Sequence, residues 1–99
     1  MKVYLDDVRT PPKGWVHAKT ADEAIYLFNH FEIEAISLDH DLGDKNIPER
    51  DGMTVLCHIE RVLTVNPKYP MPTITVHSKN FYEKQRMLLV IEKLNTMER

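Results

Sequence analysis

Three apolar runs in this chain each end in acidic or imidazole side chains. The polar segments that follow these runs are Asp6-Asp7, Asp39-His40-Asp41 and His77-Ser78-Lys79-Asn80. Carboxylates are hard oxygen ligands for cations such as Mg²⁺ and Mn²⁺. An imidazole takes up or releases a proton near neutral pH. Brought together, the three segments would supply a metal site with an acid and a base beside it.

We predict that Asp6, Asp7 and Asp39 hold a divalent cation, because closely spaced carboxylates repel one another unless a cation lies between them. One of His40 and His77 would activate a water molecule, and the other would protonate a leaving group. The residue types do not decide which histidine does which. Each aspartate also has a simpler interpretation, because strand ends use aspartates as turn formers and helix caps.

Further polar side chains stand next to these candidates. Asp41 would orient an imidazole or complete the metal shell. Arg9, Ser78, Lys79 and Asn80 are candidates for positioning a phosphate, since guanidinium, hydroxyl, ammonium and amide groups all donate to phosphate oxygens. Taken alone, Lys79 is also compatible with a solvated surface lysine.

The remaining reactive side chains carry less information. His17, His30 and His58 are expected to lie at the surface or to be partly packed. The single cysteine, Cys57, excludes an internal disulfide and a thiolate metal site. It lies among apolar residues, so we predict a small core residue.

The elements that must position the site alternate along the chain. The order is β, loop, β, α, β, α, β, α, with strands near 3–5, 15–19, 35–38 and 73–76 and helices near 20–31, 51–65 and 81–97. Such alternation is typical of an α/β fold with a mainly parallel sheet, whose functional groups gather beyond the carboxyl ends of the strands. The direction of the second strand stays open, because its link to the first is short for a crossover. Residues 42–50 are predicted to form a surface loop that could cover the site.

Composition limits the possible partners. A length of 99 residues predicts one domain over 1–99. The net charge of −2, from 13 basic and 15 acidic side chains, argues against holding long duplex nucleic acid by bulk electrostatics. No run approaches the roughly 20 apolar residues of a membrane span. The first residues lack the apolar stretch of a signal peptide, so the cytoplasm is the expected compartment.

Four segments of the chain resemble the cyclic-phosphate processing receiver domain family, which is derived from response-regulator receivers. They are Leu5-Asp6-Asp7-Val8-Arg9 with Pro11-Pro12, Thr20-Ala21-Asp22-Glu23-Ala24, Ser37-Leu38-Asp39-His40-Asp41-Leu42-Gly43, and Ile74-Thr75-Val76-His77-Ser78-Lys79-Asn80. The resemblance implies a truncated receiver-like (flavodoxin-like) fold. We therefore expect a compact three-layer α/β sandwich with a mainly parallel four-stranded sheet in the order 2-1-3-4. The loop from Arg9 to Gly14 replaces the first helix of a signalling receiver.

The resemblance also implies a function. Members of this family are thought to act on cyclic phosphates, so we expect a metal-dependent phosphoesterase acting on a nucleotide or an RNA end, with Mg²⁺ or Mn²⁺ rather than Zn²⁺. The alternative is a degenerate receiver that binds a partner protein or a nucleotide without turning it over. A receiver phosphorylated at Asp39 is the least favoured interpretation, because the lysine of signalling receivers is absent. Oligomeric state is not predicted.

Overall fold

The computed structural model describes residues 1–42 and 51–97. It contains four strands and three helices, in the predicted order. The strands are β1 (Lys2–Leu5), β2 (Val16–Ala18), β3 (Ala35–Leu38) and β4 (Thr73–Val76), and the helices are α1 (Ala21–His30), α2 (Gly52–Val65) and α3 (Phe81–Thr96). Apart from Leu42, the loop predicted to cover the site lies outside the described residues.

Each helix begins at a polar side chain that caps its first backbone N–H groups. The Thr20 hydroxyl accepts from the N–H of Glu23 at 3.1 Å. Asp51 begins α2, as predicted, and forms a reciprocal capping box with Thr54. Asn80 begins α3 by accepting from the next turn. The Asn80 cap belongs to the polar segment that follows β4, so the start of α3 and the candidate site share the same edge.

All four strands are parallel and lie in the order β2-β1-β3-β4. The predicted sheet order is confirmed, and the direction of β2 is now settled as parallel to β1. The ends of β1, β3 and β4 therefore meet at one edge of the sheet. This edge carries the polar segments that follow those three strands.

The predicted compact α/β receiver-like fold is confirmed, and among the described residues its three helices form one layer on the sheet. Both crossovers, β2–α1–β3 and β3–α2–β4, run in the same direction along the sheet, so their right-handedness places α1 and α2 on one face. Helix α3 packs against α2 and β4. The buried strand side chains that join the helices in one core all point to this face: Val3, Leu5, Ala18, Ile36, Leu38 and Ile74.

The opposite face of the sheet, here called the open face, has no helix packed on it among the described residues. Strand alternation and register place Tyr4, His17, Ser37 and Thr75 side by side across it. The loop that replaces the first receiver helix explains this exposure, because the β1–β2 link contains no helix that could cover the face.

Two smaller expectations are wrong. The β-branched composition of β4 is typical of a strand covered on both faces, but β4 is an edge strand and both of its threonines are exposed. Cys57 is also exposed rather than buried. Its position explains this, because Val55, Leu56 and Ile59 form the buried stripe of α2 and a residue between them turns away from it. Among the described helices, none is long and apolar enough to cross a membrane.

The start of α2 makes a close backbone contact with the candidate site. Gly52 donates its N–H to the carbonyl oxygen of His40 at 3.1 Å. A Cβ placed on Gly52 would lie 1.9 Å from the carbonyl oxygen of Asp39. Only glycine fits there, and its use lets the helix hold the backbone that carries Asp39 and His40.

We expect Gly52→Ala to lower the free energy of unfolding by about 2 kcal/mol or more, because overpacking against rigid backbone outweighs the gain of about 1 kcal/mol that alanine brings to a helix. Urea denaturation measures the change. Val65→Ala, at an 80% exposed position of the same helix, is the control and should shift stability by less than about 0.5 kcal/mol. Equal stability of Gly52→Ala and the wild type would contradict the close contact.

Candidate functional site at the carboxyl edge of the sheet

Asp6 is the buried anchor of this edge, with only 1% of its surface exposed. Its Oδ1 accepts from the backbone N–H groups of Val8 at 2.9 Å and Arg9 at 2.8 Å. Its Oδ2 lies 3.1 Å from Nε2 of His77. Burial alone would raise the pKa of Asp6, but these hydrogen bonds together hold it below its ordinary value. Asp6 is therefore a carboxylate in the folded chain.

His77 is held by partners on both ring nitrogens. Because the Asp6 carboxylate only accepts, Nε2–H of His77 is the donor to it. On the other side of the ring, Nδ1 lies 2.7 Å from the Ser37 hydroxyl oxygen. The Tyr4 ring stacks on the imidazole with centroids 4.2 Å apart and planes 6° apart. Ser37, His77 and Asp6 thus form one hydrogen-bonded chain along the open face.

Asp39 completes a candidate metal site consisting of Asp6, Asp39 and His77, for which we use the name metal-binding cluster. One ligand atom from each residue lies within 4.8 Å of the others. Burial raises the pKa of Asp39, and the negative charge of Asp6 raises it further, although His77 and a hydrogen bond from Ser78 act in the opposite direction. Two carboxylate oxygens and one imidazole nitrogen at this spacing fit a divalent cation.

His40 belongs to a different set of contacts. Its Nδ1 lies 2.6 Å from Asp41, and its Nε2 lies 3.3 Å from Asp51 and 3.2 Å from Glu83. Glu83 also accepts from Arg86. His40, Asp51, Glu83 and Arg86 border a cavity of about 390 Å³ beside α2 and α3. The two histidines predicted to act together therefore have separate hydrogen-bond partners.

The other predicted site residues take several positions along the edge. Asp7 is half-buried and is not a member of the metal-binding cluster. The Arg9 guanidinium donates from Nη1 to the carbonyl oxygen of His77 at 2.9 Å. Asn80 caps α3 and its amide lies 3.4 Å from Asp41. The Ser78 hydroxyl accepts from the N–H of Asn80, and Lys79 is exposed.

Three further residues of the site were not predicted from the sequence. Ser37 hydrogen-bonds to His77, Gly52 allows the start of α2 to lie against the backbone of Asp39, and Glu83 contacts His40. One signal was present, since Ser37 is a polar residue inside a buried run and shares its alternation with Asp39. Nothing in the local pattern indicates that α3 brings a carboxylate to His40.

Comparison with known proteins gives one match. The family model of the cyclic-phosphate processing receiver domain covers residues 1–93. The chain belongs to this family. No curated protein and no solved structure matches it. The resemblance based on the four segments is therefore confirmed, and three of those segments supply the edge of this receiver domain at which the metal-binding cluster lies.

We expect Asp39→Asn to stabilise the metal-free domain at neutral pH and Asp6→Asn to destabilise it. The raised pKa of Asp39 means that its ionised form opposes folding, whereas the lowered pKa of Asp6 means that its ionised form favours folding. Loss of the charged hydrogen-bond acceptor at Asp6 should lower the free energy of unfolding by about 1.5–3 kcal/mol. Urea denaturation in the presence of a chelator measures both.

The pH dependence of the free energy of unfolding follows from the directions of these two pKa shifts. The stability that Asp6 supplies is present above its ordinary pKa and is lost as the pH falls through its lowered folded value. The penalty at Asp39 disappears as the pH falls below its ordinary pKa, where the group is protonated in the folded and unfolded chains alike. Glu92→Gln, at an exposed position of α3, is the control. A shift of the same sign in both site variants would contradict this assignment.

Proposed function

We propose that this receiver domain is a metal-dependent phosphoesterase that opens a cyclic phosphate on a nucleotide or an RNA end. The observation that carries the proposal is the metal-binding cluster: two carboxylates and an imidazole at one sheet edge, in a chain whose family is associated with cyclic-phosphate processing. Water adds to phosphorus, one phosphorus–oxygen bond to the ribose breaks, and the displaced ribose oxygen takes a proton. The product is a phosphomonoester.

Asp6 and Asp39 would hold the cation, with His77 as the third donor. Asp7, proposed from the sequence as a ligand, lies outside the cluster. When bound, a divalent cation neutralises the charge that develops on the phosphate oxygens. The carboxylates favour Mg²⁺ or Mn²⁺ over Zn²⁺, and the imidazole nitrogen favours Mn²⁺ within that pair.

His40 is then the histidine left for proton transfer. It directly follows Asp39 in the chain, and its ring is held by Asp41, Asp51 and Glu83 rather than by the metal-binding cluster. When the substrate displaces one of these carboxylates, the ring nitrogen of His40 that it leaves would deliver a proton to the ribose oxygen. Asp41 would orient this imidazole, as proposed from the sequence.

The phosphate would be positioned by groups already fixed at the edge. Arg9 is anchored through His77 and keeps donors for a phosphate oxygen, because only Nη1 is used in that contact. Ser78, which hydrogen-bonds to Asp39, and Asn80 lie on the turn that starts α3. Exposed Lys79 would add positive charge at the mouth of the site.

One observation favours the alternative, a non-catalytic receiver that binds a nucleotide or a partner protein. Both ring nitrogens of His77 and both of His40 already have hydrogen-bond partners. Hydrolysis requires one of these contacts to open, whereas binding through the same groups does not. Turnover therefore separates the two functions.

We expect the purified domain to convert 2′,3′-cyclic nucleotides to monophosphates in the presence of Mn²⁺ or Mg²⁺, and to lose the activity with a chelator. Phosphorus NMR distinguishes the strained five-membered cyclic phosphate from its product. Asp39→Asn should lower the rate at least a hundredfold, because one of two carboxylate ligands is lost.

The control is again Glu92→Gln, which should retain the wild-type rate. The panel includes 3′,5′-cyclic nucleotides and cyclic oligonucleotides, with Mg²⁺, Mn²⁺ and Zn²⁺ each tried. If no cyclic phosphate is cleaved under any of these conditions, the phosphoesterase proposal fails. Saturable calorimetric binding of a cyclic nucleotide without product would then favour the binding module.

A further inference from the structure

The open face begins where the metal-binding cluster ends. Along β1, Asp6 in the cluster and Tyr4 point to the same side of the sheet, one pleat apart. His77 reaches back from the end of β4 and stacks on Tyr4. When a ligand binds the cluster through one phosphate, the ligand groups next to that phosphate therefore lie over the open face.

Aromatic rings run across this face from its edge toward the cluster. Trp15, next to β2, meets Tyr4 edge to face with centroids 6.3 Å apart. Tyr4 in turn meets His77 across β3, which is possible because the β3 residue in that row is the small Ser37. Trp15 is only partly buried, whereas one face of the Tyr4 ring is already covered by the imidazole of His77.

The charge of the face matches a phosphodiester backbone. Of the described strand residues that point to this side, Lys2 is the one with a charged side chain, and its ammonium lies 5.9 Å from the centre of the Trp15 ring. The remaining side chains in the rows are aromatic, hydroxyl or small. The carboxylates lie at the cluster, where the proposed cation would neutralise them.

We propose that the open face binds the single-stranded RNA segment that precedes the terminal cyclic phosphate. A base would stack on Trp15, which Tyr4 supports edge to face, and Lys2 would contact the backbone. Aromatic side chains on an exposed sheet bind unpaired bases in this way, with little sequence preference. The inference rests on the proposed function and specifies its substrate as an RNA end rather than a free nucleotide, because the bases on the open face would belong to the strand that carries the cyclic phosphate. That strand is RNA, since a 2′,3′-cyclic phosphate requires a 2′-hydroxyl.

The test compares two ligands without turnover. A pentanucleotide of RNA ending in a 2′,3′-cyclic phosphate, and the matching cyclic mononucleotide, are titrated in the presence of a chelator. Trp15 is the single tryptophan of the chain, so its fluorescence reports stacking directly. We expect saturable quenching by the pentanucleotide and an affinity at least tenfold higher than that of the mononucleotide.

Variants assign the effect to the face. Trp15→Leu should weaken binding of the pentanucleotide roughly tenfold, as measured by the anisotropy of labelled RNA. Trp15→Phe keeps an aromatic ring and should therefore lose less affinity. Lys2→Gln should weaken binding and reduce its salt dependence. Tyr26→Leu removes a 56% exposed aromatic ring from α1, in the helical layer, and should bind as the wild type does.

Three outcomes would overturn the inference. The first is equal affinity for pentanucleotide and mononucleotide. The second is unchanged RNA affinity in Trp15→Leu, with circular dichroism showing that this variant is folded. The third is a wild-type dimer in sedimentation that Trp15→Leu dissociates, which would make the face an interface between two copies. None of these outcomes depends on hydrolysis, so cleavage of the cyclic mononucleotide by the wild type remains a separate test of the proposed function.

Discussion

The contact between the buried carboxylate of Asp6 and His77 ties the site to the fold. A carboxylate taken out of water requires donors from the protein, and Asp6 obtains them from the loop backbone after β1 and from an imidazole after β4. This one side chain therefore shapes the loop, fixes the ring of His77 and sets a negative charge beside Asp39. The same repulsion that raises the pKa of Asp39 makes the pair a suitable place for a cation.

The second constraint is the close approach of α2 to the end of β3. Gly52 admits the helix against the backbone of Asp39, and the adjacent carboxylate of Asp51 then reaches His40. Helix α3 adds Glu83 from the other side. The fold thus places the two histidines in different surroundings. His77 lies beside the carboxylates of Asp6 and Asp39, and His40 lies among carboxylates near the starts of α2 and α3.

Much of the architecture was predictable because its signals are local. Polar residues directly after apolar runs mark strand ends, and parallel strands bring such ends together, which placed Asp6, Asp39 and His77 correctly at one edge. The open face of the sheet was not predictable in the same way. It depends on which face each crossover covers, and the short β1–β2 link leaves the Tyr4 side of the sheet without a helix.

The sequence by itself determined the element order, the helix caps and the residue types at the carboxyl edge, because each follows from a few neighbouring residues. Only the tertiary structure decided which of those side chains meet. Strand pairing brings Asp6, Asp39 and His77 together while Asp7 lies outside that cluster, and helix packing brings Glu83 to His40. A site made of contacts between residues more than 30 positions apart depends on packing, since no local pattern encodes distances across the sheet.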